Sequence, residues 1–479
     1  MKTTDAIGAS FRRAARPLPL AVSIALAASC IEASGAGAPS LAVSRATTPA
    51  NATSTLPLQP VTNCADSGAG SLRSAIASAA DGSTIDMSQL QCSTITLVSG
   101  SLAVMQNNLT VKGPGLGLKI LPDASQKTPV FAHYGNGLLT ISQASVRNGT
   151  NTQYSGGCIT SSAGSVRVAN AFVGYCVTKQ TSGDFRGGGG IYARGDVIID
   201  DSVIQGNTAN DSVEHVTGGG AFAAGNLTVR RSLIIGNKAT SSLVSATAGA
   251  LGGGLSAKRN VDIFASTIGF NSTGGPGKKG YGGGVFALDF YNESTLVMTN
   301  STITHNYSSR FTGGVTSSAP THISNSTIAF NVAKETTGAV EVGTGLFVYS
   351  GATTLESTII AKNGRSDGYL NITYTADFKL YKASVTGSHN LIMNSNVSPP
   401  GTLTSDPKLV DLGTNGGNQL TLTHALDPSS PAIGTGSNPL NLPSDERGPG
   451  FSRVFKRFVD IGAFQTGDAI FTNGLDPPS

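Results

Sequence analysis

A Gly cluster, a Ser and an Asn recur in fixed order through the middle of this chain, and that recurrence constrains the fold more than any other feature. The clusters end at Gly190, Gly220, Gly254, Gly284 and Gly314. The serines are Ser202, Ser232, Ser266, Ser301 and Ser326, and the asparagines are Asn207, Asn237, Asn271, Asn306 and Asn331. Ser to Asn is 5 residues in every unit, and Gly to Ser is 12 in four of the five and 17 in the fourth, which carries an insertion around Asp289 to Glu293. Units of about 30 residues that repeat without an intervening helical stretch mark a solenoid. Within a unit, Val197-Ile198-Ile199 and Leu227-Thr228-Val229 precede the Ser, and Val203-Ile204 follows it. Such short apolar stretches read as strands of period two. The expected fold is therefore all-β, a single-stranded right-handed parallel β-helix with three short strands per coil.

Coils of such a solenoid stack at the spacing of paired strands, about 4.8 Å, so eleven of them make a rod of roughly 50 Å. Equivalent residues then lie above one another. The Asn column becomes an internal ladder of side-chain amides, as in cross-β stacks, and the glycines permit positive φ at sharp turns. Weaker copies flank the array, with Gly157 and Cys176 before it and Gly345, Ser357 and Asn363 after it. The stretch Ser71–Ala80 is the only good helix former and places Leu72, Ile76 and Ala79 on one face. A short helix there caps the first coil, which would otherwise expose strand edges.

The N-terminus reads as a secretory signal over 1–30. Lys2, Arg12, Arg13 and Arg16 precede the apolar run Leu18–Ala28, which is too short to span a bilayer. Ala28-Ser29-Cys30 loosely resembles a lipoprotein box, so a lipid anchor at Cys30 is the alternative to simple release. Export makes an oxidising environment the context for Cys64, Cys92, Cys158 and Cys176, for which three pairings exist. The sequence-local one, Cys64 with Cys92 and Cys158 with Cys176, is expected. Residues 31–58 form a flexible linker rich in Ala, Ser, Thr and Pro, 59–100 the cap, 101–395 the repeats, 396–467 a distinct C-terminal region and 468–479 a tail.

The units Gly218-Gly219-Gly220-Ala221 and Ile234-Ile235-Gly236-Asn237 resemble the repeats of polymorphic outer-membrane proteins, with Ile where that family has Phe. Leu422-Thr423-His424-Ala425-Leu426, Ser430-Pro431-Ala432-Ile433, Asp445-Glu446-Arg447-Gly448 and Asp460-Ile461-Gly462-Ala463-Phe464 are similar to the choice-of-anchor Q domain, which has Glu where Gln465 stands. These resemblances imply a β-helix at the bacterial surface. They imply no common activity and lend no catalytic residue.

Function is less legible. The 13% charged residues and net charge of +4 form no basic block, so no nucleic-acid footprint is expected. Gly274-Gly275-Pro276-Gly277-Lys278-Lys279 lacks the Ser/Thr and following helix of a phosphate-binding loop, so no nucleotide is expected. The column before the repeat Ser holds Asp201, Arg231, Ala265, Asn300 and Asn325 and gathers no carboxylates. No catalytic residue, metal ligand or cofactor is assigned. The lead is the set of variable segments 177–186, 208–217, 238–251, 272–281, 307–312 and 332–337, which all leave the same edge of the rod. Stacked, they form a wall carrying Arg186, His215, Lys278, Lys279, Tyr281, Tyr307, Arg310 and Phe311. Loops on a rigid scaffold concentrate function. The expectation is a secreted or surface-displayed, adhesin-like monomer binding glycan or a surface protein. A polysaccharide lyase or glycoside hydrolase, and a purely structural role, are the alternatives.

Overall fold

The computed structural model describes residues 58–180, 186–243, 248–274, 279–289, 293–334, 343–366, 372–374, 376–395 and 397–467. The signal segment, most of the linker, Lys278 and the tail lie outside them. Residues from Pro57 onward form one compact unit. It is an all-β, right-handed parallel solenoid of about 10 turns, whose wall after the repeat Ser is an eleven-stranded sheet.

One coil shows the construction. Ile191–Ala193 and Val197–Asp200 run along the longest sheet, Val203–Gln205 forms the next wall, and Thr208–Asp211 follows the ladder Asn. The expected three strands are joined by two more here, Thr208–Asp211 and His215–Thr217, because the variable segment 208–217 is itself partly regular. His215–Thr217 pairs in parallel with Arg186–Gly187 and Gly249–Leu251, and Lys279–Tyr281 completes a four-stranded flange. Neighbouring segments of similar length stack in register, and the pairing satisfies their backbone groups. Parallel pairing also begins before residue 101, with Leu58–Pro60 against Thr84–Asp86.

The interior is filled by stacked aliphatic columns. Ile204, Ile234, Ile268, Ile303, Ile328 and Ile360 occupy successive rungs and are fully buried. Burial of each such side chain contributes about 2 kcal/mol relative to exposure. The ladder stands beside them. Each Asn Nδ2 donates to the next Asn Oδ1 at 2.9–3.0 Å from Asn207 through Asn331, and each donates also to a carbonyl of the preceding coil. The ladder runs on to Asn363 and ends on Asp377, whose Oδ1 accepts from Asn363 Nδ2 at 2.9 Å. At its other end Asn207 Oδ1 accepts from the backbone of Cys176. The last Gly of each cluster is required by this ladder. A Cβ on Gly220 would stand 2.7 Å from the Gly254 carbonyl and 3.1 Å from the Asn237 amide.

The serines form a second ladder that the sequence did not announce. Each backbone N–H of Ser202, Ser232, Ser266 and Ser301 donates to the hydroxyl of the next Ser. The residues just before them, Asp201, Arg231, Ala265, Asn300 and Asn325, all sit at φ of 45–54°, a conformation that disfavours side chains. Their column is a corner, and the Ser ladder holds it.

The cap helix spans Leu72–Ser78, with Ser71 accepting from Ser74 N–H at its start. It buries Leu72, Ala75 and Ile76. Ala79 is the C-cap and packs half-buried against the same core, and Gln106 Nε2 donates to the carbonyls of Ile76 and Ala79 at that end. The disulfides join Cys64 to Cys92 and Cys158 to Cys176.

Residues 397–467 fold back along the outside of the wall that follows the repeat Ser. Leu426, Ala432 and Ile461 pack on Ile359, Ala361 and Leu391. Glu446, wholly buried, accepts from the hydroxyls of Thr267 and Thr302, and burial raises its carboxyl well above the usual range. Arg447 pairs with Asp445 and lies between the rings of Phe451 and Phe464, 4.1 and 4.0 Å from their centroids. Such a desolvated guanidinium gains from both π faces.

Candidate functional site

The segments expected to form one wall divide among three environments. His215 is buried at the start of a flange strand, in a layer whose small core is Ala209, Val213, Val216, Ala239 and Ala250. Asp211 is buried there as well, accepting from Gln180 N–H at 2.8 Å and from the Thr178 hydroxyl. Burial pushes its carboxyl up to about 6 despite those bonds and the nearby charge of Arg186.

Further along, Tyr281 stacks on Phe311 with centroids 4.3 Å apart, and Phe311 packs with Phe347. Arg310 lies 5.2 Å from the Phe311 centroid. Phe311 is buried, and burial raises the Tyr281 hydroxyl far above its ordinary range. Phe311 and Phe347 form a small satellite core against which the half-buried Tyr281 packs. Lys279 is half-buried in the flange, and Tyr307 is exposed on the neighbouring wall.

Arg186 is different. It begins the first strand of the flange and lines a groove of about 500 Å³ on the earlier coils. The floor is a register column of outward-facing residues, Ala132, Thr160 and Tyr192, on three successive strands. Those strands are hydrogen-bonded on both sides, so the floor is rigid and its backbone groups are already used. Tyr134 and Tyr154, 52% and 60% exposed, offer free ring surface at the margins. Lys127 and Arg194, both exposed, join Arg186 as cations in the lining, where the described residues include no Asp or Glu.

The groove is preorganised by local bonds. Buried Asn151 accepts from the N–H groups of Gln153 and Tyr154 through Oδ1 and donates to the carbonyls of Ser155 and Gly156 through Nδ2. That ties the loop carrying Tyr154 into one conformation, two residues before Cys158 and its disulfide. Burial raises the Tyr192 hydroxyl above its ordinary range, while Arg186 and Arg194 act in the opposite direction, so both cations lie close to it. The Thr128 hydroxyl, buried in the lining, makes no hydrogen bond within the protein.

The column Ala132, Thr160, Tyr192 continues through Phe222, Ser256, Phe286, Thr316 and Phe347. All of these later members are buried, and Tyr281 packs edge-on against Phe286. Tyr192 is the half-exposed member of this column, and the groove lies over it. The groove residues do not stand out in the sequence, where variation in loop length is the more visible feature. The available signal was the position two residues after each Gly cluster, which reads Tyr192, Phe222, Ser256, Phe286, Thr316 and Phe347.

Among the described residues no group of three or more His, Cys, Asp or Glu is placed to hold a metal ion, and no helix is long and apolar enough to cross a membrane. No family model matches the chain, so the resemblances to polymorphic outer-membrane repeats and to the choice-of-anchor Q domain rest on their motifs alone. No curated protein matches it. Among solved structures, the crystal structure of pectate lyase Pel9A is similar at a TM-score of 0.39 and 14% identity, over 86% of this chain and 98% of that one. At that level no residue or activity is carried over from it.

Proposed function

We propose that this chain is an exported binding rod that holds a glycan in the groove over Thr160 and Tyr192. The observation that supports this reading most is the character of the lining. It combines exposed aromatic rings with hydroxyl, amide and cationic groups on a floor whose backbone is fully paired. A peptide that adds a strand needs a free sheet edge, and one that docks by side chains needs apolar anchor pockets. The groove floor has neither. Sugars need flat rings to stack on and many directed polar groups, and the volume lies within the range of ordinary ligand sites.

Among the described residues the groove lining holds no paired carboxylates of the kind glycoside hydrolysis uses, which supports binding there over hydrolysis. The two disulfides suit an oxidising compartment, and the choice-of-anchor Q-like motifs support display at the cell surface.

The test is incubation of the purified protein, with and without calcium, on a panel of neutral and acidic polysaccharides, scoring both retained ligand and released chain ends. Retention without new ends is the expected result. Released unsaturated or reducing ends would make the protein an enzyme, and absence of retention throughout would leave a structural role or a protein partner.

A further inference from the structure

We propose that the C-terminal region carries a contact surface of its own, the turn at residues 455–458, and that this turn docks on an anionic phospholipid bilayer. Between the buried residues Arg453 and Asp460 the chain loops outward as Val454-Phe455-Lys456-Arg457-Phe458-Val459. Phe458 is the most exposed aromatic side chain among the described residues, at 62%, and Val454 is 44% exposed. Lys456 and Arg457 are exposed at the tip. Paired backbone bonds close the turn, from Phe455 N–H to the Phe458 carbonyl at 3.0 Å and from Phe458 N–H to the Phe455 carbonyl at 2.8 Å. Its base is fixed by Arg453, which is wholly buried and donates through Nη2 to the carbonyls of Asp460 and Gly462. None of these residues lines the groove over Tyr192, so the contact stands whether or not a glycan binds there.

The tip is built against local preference. Lys456 and Arg457 have φ of 48° and 74°, the hairpin geometry that Asn-Gly fits and that other side chains resist. Backbone held in such a conformation concentrates at functional positions. Lys456 Nζ lies over the Phe455 ring, 5.3 Å from its centroid, so cation and ring are presented together. Apolar side chains exposed singly are ordinary. Here Val454 and Phe458 flank two adjacent cations on one rigid turn. At a bilayer surface the cations meet headgroup phosphates while the apolar side chains enter the boundary with the acyl chains. A soluble polyanion would satisfy Lys456 and Arg457 and leave Phe458 in water.

The experiment measures binding of the purified mature protein, without residues 1–30, to three probes. They are vesicles of phosphatidylcholine alone, vesicles of equal parts phosphatidylcholine and phosphatidylglycerol, and soluble polyphosphate. Binding to the anionic vesicles at least tenfold tighter than to the neutral ones, and weakening as salt is raised, is expected. The double variant Lys456→Asn, Arg457→Gly gives the turn its preferred residues, so the thermal midpoint should not fall. Its affinity for the anionic vesicles should drop about thirtyfold, at roughly fivefold for each cation near the surface. Phe458→Ser should lose at least tenfold. The chain contains no Trp, so Phe458→Trp supplies a single fluorophore, whose emission should shift to the blue on anionic vesicles. Equal binding to both vesicles, binding to neither, or undiminished binding by the double variant would overturn the proposal. Polyphosphate bound as tightly as the anionic vesicles, with no blue shift on the latter, would rule out the bilayer as the partner.

Discussion

Replacing Asn271 by Ala tests whether the Asn ladder holds the coils together or merely fills space. Asn271 is wholly buried. Its Oδ1 accepts from both the backbone N–H and the Nδ2 of Asn237, each at 2.9 Å. Its Nδ2 donates to the Ile234 carbonyl at 2.9 Å and to Asn306 Oδ1 at 3.0 Å. Alanine leaves two Asn237 donors without an acceptor, in a site that water cannot reach. At about 1–3 kcal/mol for each stranded buried group, the cost is about 4 kcal/mol. Asn207 gives an internal comparison. Its Oδ1 accepts only from the Cys176 backbone, so Asn207→Ala strands one donor and costs about half as much, near 2 kcal/mol. The assay is urea unfolding at constant pH, reading midpoint and slope, together with hydrogen exchange at the Asn237 amide, which should lose protection in the first variant alone. Equal costs for the two variants, or a cost below about 1 kcal/mol for Asn271→Ala, would refute the ladder as a source of stability.

Three further outcomes are expected. Burial lowers His424 to about 4, below its unfolded value, so stability is complete above pH 6.5 and falls by up to about 3 kcal/mol as pH drops toward 4; His424→Gln should flatten that slope in unfolding midpoints measured across the range. Asp211 behaves oppositely, because its folded value near 6 exceeds the unfolded one and its stability is lost as pH rises through 6. Asp211→Asn should therefore raise the urea midpoint at pH 7 by up to about 3 kcal/mol equivalent and change little at pH 3.5. Tyr281→Ala should cost about 3 kcal/mol through the lost stack on Phe311, visible as a lower melting temperature, while calorimetric binding at the Thr160–Tyr192 groove stays unchanged.

Particular residues show how far the sequence carried. The interval from Ser to Asn is constant, and a constant interval between columns is what stacking demands, so Asn207 through Asn331 were legible as a ladder. The Ser ladder was not, because a Ser in a turn has many local uses and nothing in its spacing shows that its hydroxyl receives an N–H from the coil below. Arg186 was placed on the binding edge, and it does line the groove. His215 and Phe311 were placed on the same edge from their position in variable segments, and both are buried. Variation in length identifies a segment that leaves the wall, but not whether it stacks on its neighbour and acquires a core of its own.

Sequence alone determined the coil. The repeat period, the alternation of Val and Ile around the Ser, the glycines and the Asn column are interactions between equivalent positions of adjacent coils, and a periodic chain states those directly. Only the tertiary structure decided which outward column is open. Tyr192 stays half-exposed while Phe222 and Phe286 are covered, and Thr267 and Thr302 meet Glu446 from a segment more than 140 residues away. Those contacts join parts of the chain that share no period, so no local pattern encodes them, and the site is the place such contacts leave uncovered.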